Sequence, residues 1–240
     1  MDYKSFKYIE HYQKDAESFD YFEKKSGATE HDERRVREFI HSQIDGINNF
    51  ILDVGSGSSW AAKNLSVNNK IISLDISQLN IKKALCEIND KNHFGIVSDA
   101  YQLPFKDESF DYVIASEVIE HTIDPRLFLE KLFQKVKPGG TVLISAPYNE
   151  KIRYSLCIHC NKSTPVNAHL HSFNEEKLKQ LADSILCEVK NYTFGNKFLI
   201  HLRTYTLLRY LSFKLWRVLD WFANKIYNAP LHILVKYKKR

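Results

Sequence analysis

Cysteine is scarce: Cys86, Cys157, Cys160 and Cys187 are the four in a chain of 240 residues. That is too few for a disulfide-stapled secreted framework of this length. The opening segment MDYKSFKYIEHYQKDAE also has no apolar stretch of the signal-peptide kind, so a reducing, cytoplasmic setting is expected. No run approaches the roughly 20 uncharged apolar residues that a spanning helix requires, which excludes an integral membrane protein. Internal repeats and low-complexity tracts are missing as well. With 44% hydrophobic residues the chain can build its own core, and disorder is excluded. An acidic excess is lacking too. The formal charge is +5 and the isoelectric point about 8.8, a mildly basic balance that suits approach to phosphates, an anionic membrane face or an acidic substrate without naming any of them.

What is present changes character at Phe50. Residues 1–49 are charged and aromatic, with Tyr8, Tyr12, Phe19, Tyr21 and Phe22 in the first half and Val36, Phe39 and Ile40 in a second predicted helix. Beyond them come short β-branched runs, FILDV, KIISLD, HFGIVS, FDYVIAS and TVLISAP, separated by helices predicted over 58–66, 78–89 and 124–136. This alternation predicts an α/β domain with a parallel sheet and helices on both faces. Val136, Lys137, Pro138, Gly139 and Gly140 are read as punctuation that stops the third helix and turns into the next strand. Residues 148–172 read as irregular. A helix over about 174–184, a strand near 187–192, a helix-period stretch at 197–228 and a strand after Pro230 complete the pattern. The division expected is a helical lid over 1–49 and one domain over 50–240, interrupted by a Cys/His loop at 148–172 and an amphipathic insertion at 197–228.

The sharpest motif is Asp53, Val54, Gly55, Ser56, Gly57, Ser58 and Ser59, which leaves a predicted strand and opens a predicted helix. Glycines there let the backbone turn tightly and approach a ligand where a Cβ would collide. An ordinary strand-to-helix turn would show the same two glycines. Asp75, however, ends the next predicted strand 18 residues beyond Gly57, where an acid can accept both hydroxyls of a ribose. A dinucleotide fingerprint asks for a third glycine at position 60. Trp60 stands there, and its bulk disfavours a nicotinamide oxidoreductase.

Two further motifs follow in order: Asp99 with Ala100 after the third strand, and FDYVIASEVIEH at residues 110–121. From DVGSGSS through LD, SDAYQLPFKDESFDYVIASEVIEH and LFQKVKPGG to LISAP, over residues 50–147, the chain resembles class I S-adenosylmethionine-dependent methyltransferases. The branch it resembles includes the ubiquinone-biosynthesis and related small-molecule enzymes. The resemblance implies a Rossmann-like sheet of seven strands, mostly parallel, with the last strand inserted antiparallel and the helical insertion between strands six and seven. It also implies that Asp53, Gly55 and Gly57 line the methionine part of the donor, Asp75 holds the ribose, Asp99 and Ala100 meet the adenine edge, and Glu117 borders the methyl-transfer face. Ser59 departs from the family, which often has a third glycine there. The implied activity is methyl transfer to a small-molecule, sugar or lipid-linked acceptor, with oxygen slightly favoured as the acceptor atom. A non-catalytic protein that binds the donor and serves as a partner would carry the same motifs.

Methyl transfer from a sulfonium is an in-line displacement whose donor is already activated, so alignment and exclusion of water are the main demands on the protein. A hydroxyl acceptor is helped by a base. His121 is the candidate, with an unperturbed pKa near neutrality; it also fits a helix-end residue bonded to backbone, and Glu120 beside it is read as structural. Ser116, Glu117, Val118 and Ile119 stand where enzymes acting on nucleobase amines carry a Pro-Pro-Tyr-type segment, and no Pro-Cys pair for attack on cytosine occurs. Nucleic acid is therefore not an expected partner.

Cys157, Cys160, His169 and His171 have the composition of a structural Cys2His2 zinc site. The other reading leaves the thiols reduced and gives Tyr148, His169 and His171 to the acceptor. Cys86 and Cys187 are expected as small buried hydrophobes in a helix and a strand. In 197–228, Leu208, Leu211, Leu215, Leu219, Phe222 and Ile226 recur at three- and four-residue steps, while six basic residues face a single acid, Asp220. Such a stretch either caps its own sheet or makes peripheral contact with the inner face of a membrane.

Overall fold

The computed structural model describes residues 6–157 and 161–240. Two helices come first, α1 (Tyr8–Ser18) and α2 (Gly27–His41). The α/β core then runs β1 (Phe50–Val54), α3 (Trp60–Leu65), β2 (Lys70–Asp75), α4 (Gln78–Glu87), β3 (His93–Val97), β4 (Phe110–Ser116), α5 (Pro125–Lys135) and β5 (Val136–Pro147). A two-stranded ribbon, β6 (Tyr154–Leu156) and β7 (Ser163–Pro165), precedes α6 (Glu175–Leu181) and β8 (Cys187–Asn196). Three short helices, α7 (Lys197–His201), α8 (Tyr205–Leu208) and α9 (Phe213–Ile226), lead to β9 (Pro230–Lys239).

The seven-stranded sheet has the order β3-β2-β1-β4-β5-β9-β8. Neighbours from β3 to β5 are parallel, and β9 lies antiparallel between β5 and β8. The strand order reverses between β1 and β4. In an open α/β sheet that switch point leaves a crevice at the carboxyl ends of the strands.

Strand periodicity sorts the core into two layers. Leu52 and Val54 of β1, Val113 and Ala115 of β4, and Ile233, Val235 and Tyr237 of β9 face one cluster, which α5 and α6 complete with Phe128, Leu132 and Leu178. Ile51, Tyr112, Ile114 and Leu234, on the other face, pack with Val36, Phe39 and Ile40 of α2, Trp60 and Leu65 of α3, and Trp216 of α9. Alternation of side chains about the pleat produces this division. Within the segment expected as a lid, α2 is therefore a core helix.

Some expectations need correction. Residues 136–140 are strand: Phe110 pairs Val136 and Tyr112 pairs Thr141, so the residues between form a bulge. Gly139 has φ +76°, and a Cβ on Gly140 would lie 2.8 Å from the Asp111 carbonyl oxygen. The Pro-Gly-Gly segment bends a strand that has already begun. Residues 197–228 are three helices broken at 202–204 and 209–212 rather than one. Cys86 is exposed and Cys187 half-buried, so neither is the buried hydrophobe expected.

Candidate active site

The turn after β1 is held by Gly55 and Ser56, whose N–H groups donate to the Leu74 carbonyl at 2.8 and 3.0 Å. Gly55 has φ +68°, and a Cβ there would meet Val118 Cγ2 at 2.7 Å, because this turn packs against the one after β4. Gly57, at φ +48°, lies beneath Tyr21, whose ring would be 3.3 Å from an added Cβ. Ser59 is fully buried at φ +52°, the conformation a glycine would take without strain.

The three acids flagged by sequence gather on this side. Asp75 accepts from the Gly57 N–H at 2.9 Å and the Ser77 N–H at 2.8 Å. Burial raises its carboxyl above the usual range. Asp53 is buried with Oδ2 lacking a hydrogen-bond partner, and burial, then Asp75, pushes its pKa up to about 7. Asp99 accepts from the Tyr8 hydroxyl at 2.5 Å and the Tyr101 N–H at 3.0 Å. Ala100 beside it is half-buried against the first core layer.

Across the switch point, Glu117 follows β4 with φ +54°. Its Oε2 is 3.4 Å from His232 Nδ1, and its Oε1 is buried without a hydrogen-bond partner. His232, on β9, also meets Asp32 Oδ2 of α2 at 2.9 Å through Nε2. Burial alone would lower the pKa of this imidazole, but Glu117 and Asp32 carry it up to about 10. Glu120 is buried, with Oε2 unpartnered, and its carboxyl is held well above the carboxylate range by burial and then by Glu117.

His121 closes this group. Its Nδ1 lies 3.3 Å from the Ala168 carbonyl, so that nitrogen carries the hydrogen and Nε2 keeps its lone pair. Burial, reinforced by His169, lowers its pKa to about 4. The ring stands edge-on to Tyr12 and His169, with centroids 5.9 and 4.8 Å apart. His169 Nδ1 is 2.5 Å from Glu150 Oε2.

Of the predicted zinc ligands, Cys160 lies outside the described residues. Cys157, His169 and His171 are not brought together: among the described residues the metal-capable group is Glu120, His121 and His169, with ligand atoms within 4.8 Å of one another. His171 instead donates from Nε2 to the Thr122 carbonyl at 2.9 Å, which ties the loop after β5 to the loop after β4. Tyr148 is anchored by its N–H to the Leu231 carbonyl and bridges Phe173.

Sequence reasoning missed Asp32, Glu150 and His232, which adjoin the site only through pairing of distant elements. It listed Tyr8, Tyr12 and Tyr21 as aromatic content without placing them over Asp99, His121 and Gly57. Their recurrence on one short acidic segment was the available signal.

Residues 52–144 match the methyltransferase domain family model. The chain is 27% identical over 179 residues, 66% of its length, to the mitochondrial ubiquinone biosynthesis O-methyltransferase of Dictyostelium discoideum. It is 33% identical over 146 residues, 56% of its length, to the ubiquinone/menaquinone biosynthesis C-methyltransferase UbiE of Wigglesworthia glossinidia brevipalpis. The matches span 55% and 58% of those two relatives. The fold is similar to Haemonchus contortus phosphoethanolamine N-methyltransferase 2, solved with phosphomonomethylethanolamine and S-adenosylhomocysteine. The TM-score is 0.59 at 18% identity, covering 86% of this chain and 52% of that one. With four motifs in order on a sheet whose last strand is inserted antiparallel, the chain carries a methyltransferase-domain match over residues 52–144 and has the fold of the class I S-adenosylmethionine-dependent methyltransferases it is similar to.

Proposed function

We propose that the protein transfers a methyl group from S-adenosylmethionine to a hydroxyl of a small, lipid-linked acceptor. The observation that carries this is the packing, at the switch point, of a glycine turn beside an unpartnered buried Asp53 oxygen against the loop after β4. That loop carries a neutral His121 with Nδ1 engaged and Nε2 4.0 Å from Glu120 Oε1. Two glycines at positive φ with crowded Cβ positions, and acids at the carboxyl ends of three successive strands, fit the donor. Asp53, Gly55 and Gly57 would hold its methionine part, Asp75 its ribose, and Asp99 with Ala100 its adenine; Glu117 borders the reacting methyl. The donor supplies an activated methyl on sulfur.

The acceptor oxygen attacks the methyl carbon in line as the carbon–sulfur bond breaks and its electron pair passes to sulfur. The hydroxyl proton moves to His121 Nε2 and then to water. His169 holds His121 edge-on, His171 fixes the loop between them, and Tyr148 lines the acceptor side. A second reading uses the same cluster differently: Glu120, His121 and His169 can take a divalent cation, since the Nδ1 atoms of both imidazoles are already engaged by Ala168 and Glu150. Loss of activity in chelator, restored by added metal, would select it.

The test is mass spectrometry of cell extract incubated with protein and isotopically labelled donor. A labelled hydroxyl compound is expected. No label in any acceptor, despite tight binding of S-adenosylhomocysteine, would favour the non-catalytic partner reading. His121→Ala should slow transfer by about 10²–10⁴-fold with donor affinity unchanged. Asp75→Ala should weaken S-adenosylhomocysteine by about 1–3 kcal/mol in calorimetry, and an unaltered affinity would sink the ribose assignment.

A further inference from the structure

An amphipathic helix normally turns its apolar stripe toward the core. α9 does the reverse. Leu215, Leu219, Phe222 and Ile226 follow one another at steps of four, three and four, which places them on one ridge. They are 60%, 45%, 53% and 87% exposed. The buried side of the same helix holds Trp216 and Asp220, one turn apart. Val218 and Trp221 widen the ridge, and Leu207 and Tyr210 of the preceding segment are exposed as well.

The charges around the ridge have one sign. Lys197, Arg203, Arg209, Lys214, Arg217 and Lys225 are all exposed, although the guanidinium of Arg217 turns back over the Phe39 ring, 4.8 Å from its centroid. Asp220, the single acid between 197 and 228, is buried and accepts from the Gly195 N–H at 3.1 Å. Lys225 Nζ lies 5.6 Å from the centroid of Trp221, at the margin of the ridge.

We infer that the segment 197–228 is a docking face for an anionic phospholipid bilayer, entered by the α9 ridge and flanked by its basic residues. Charge complementarity selects this occupant. A second copy docked face to face would set the cations of 197–228 against one another, with no exposed acid inside the segment to pair them. A bilayer with anionic headgroups offers apolar depth and negative charge together. No described helix is long and apolar enough to cross a membrane, so α9 would lie along the surface.

The face is joined through α2 to the candidate site. Arg35 of α2 donates to the Leu208 and Leu211 carbonyls at 2.7 and 3.1 Å, and its guanidinium lies over Trp216. Asp32, one turn earlier on α2, holds His232, which adjoins Glu117. The inference deepens the proposed function only in its lipid-linked acceptor; the docking face itself stands on the exposed ridge and its charges.

The experiment is co-sedimentation with vesicles of phosphatidylcholine alone or mixed with phosphatidylglycerol. The wild type should bind the mixed vesicles at least about tenfold more tightly than the neutral ones, and raised salt should weaken that binding. Leu215→Glu with Phe222→Glu, on a solvent-facing ridge, should lose about tenfold or more while S-adenosylhomocysteine affinity is unchanged. Lys214→Gln with Lys225→Gln should keep the ridge and lose the preference for anionic lipid. Failure of the wild type to sediment, or equal sedimentation of the ridge variant, would overturn the inference. So would a dimer that the ridge variant dissolves. Sedimentation without affinity for S-adenosylhomocysteine would keep the docking face and reject the donor site; the opposite pair of results would reject the face and keep the site.

Discussion

Ser59 and Glu117 occupy the left-handed backbone region, which costs a non-glycine residue about 1–2 kcal/mol. At Ser59 the cost has a sequence trace, since the methyltransferases the chain resembles often have a glycine there. Ser59→Gly should raise stability by about 0.5–1 kcal/mol in chemical denaturation, and Ser59→Val should lower it by about 2 kcal/mol. An unchanged midpoint in both would show that the turn relaxes freely. At Glu117 the strain aims a carboxylate at His232 and leaves one oxygen unpartnered. Asp53, Asp75 and Asp99 were legible because each stands at or just past the carboxyl end of its own strand, at the spacing of the family the chain resembles. The His232 partnership was not, because it joins residues 200 positions apart through pairing of β9 with β5.

Among the elements, the core strands and α3 to α5 were legible from period alone, whereas the first 49 residues were read as one lid. α2 buries Val36, Phe39 and Ile40 and belongs to the core; α1 and the segment after it cover the site. Phe22 sits between Lys63 of α3 and Lys83 of α4, and Lys83 also pairs with Asp20 at 2.6 Å. These surface contacts are individually weak and suit a cover that opens for exchange. Tyr21→Ala, which uncovers Gly57, should speed release of S-adenosylhomocysteine by about tenfold in stopped flow with little change in melting temperature, the equivalent of about 1.4 kcal/mol. An unaltered release rate would mean that α1 is not the barrier. The zinc reading of the Cys/His loop rested on composition, which carries no information on which histidine nitrogens are already engaged by Glu150, Ala168 and Thr122.

For the whole molecule, the Asp32–His232–Glu117 array joins α2, β9 and the turn after β4. A histidine whose pKa rises on folding, here to about 10, contributes stability that is fully present below its unfolded value near 6.5. That contribution is lost as pH climbs through about 10. His232→Gln should therefore cost about 3–5 kcal/mol near neutrality and progressively less as pH rises toward 10 in denaturant titrations. A cost independent of pH would remove the charge from this account. The position of β9 also bears on synthesis. Among the described residues, β8 pairs in the sheet only with β9, and so does the outer edge of β5. Until residues 230–239 have emerged from the ribosome, β8 has no strand to join and the exposed ridge of α9 hangs from an unclosed sheet. The parallel half can condense early, but the half that would meet the membrane stays open until β9 is made.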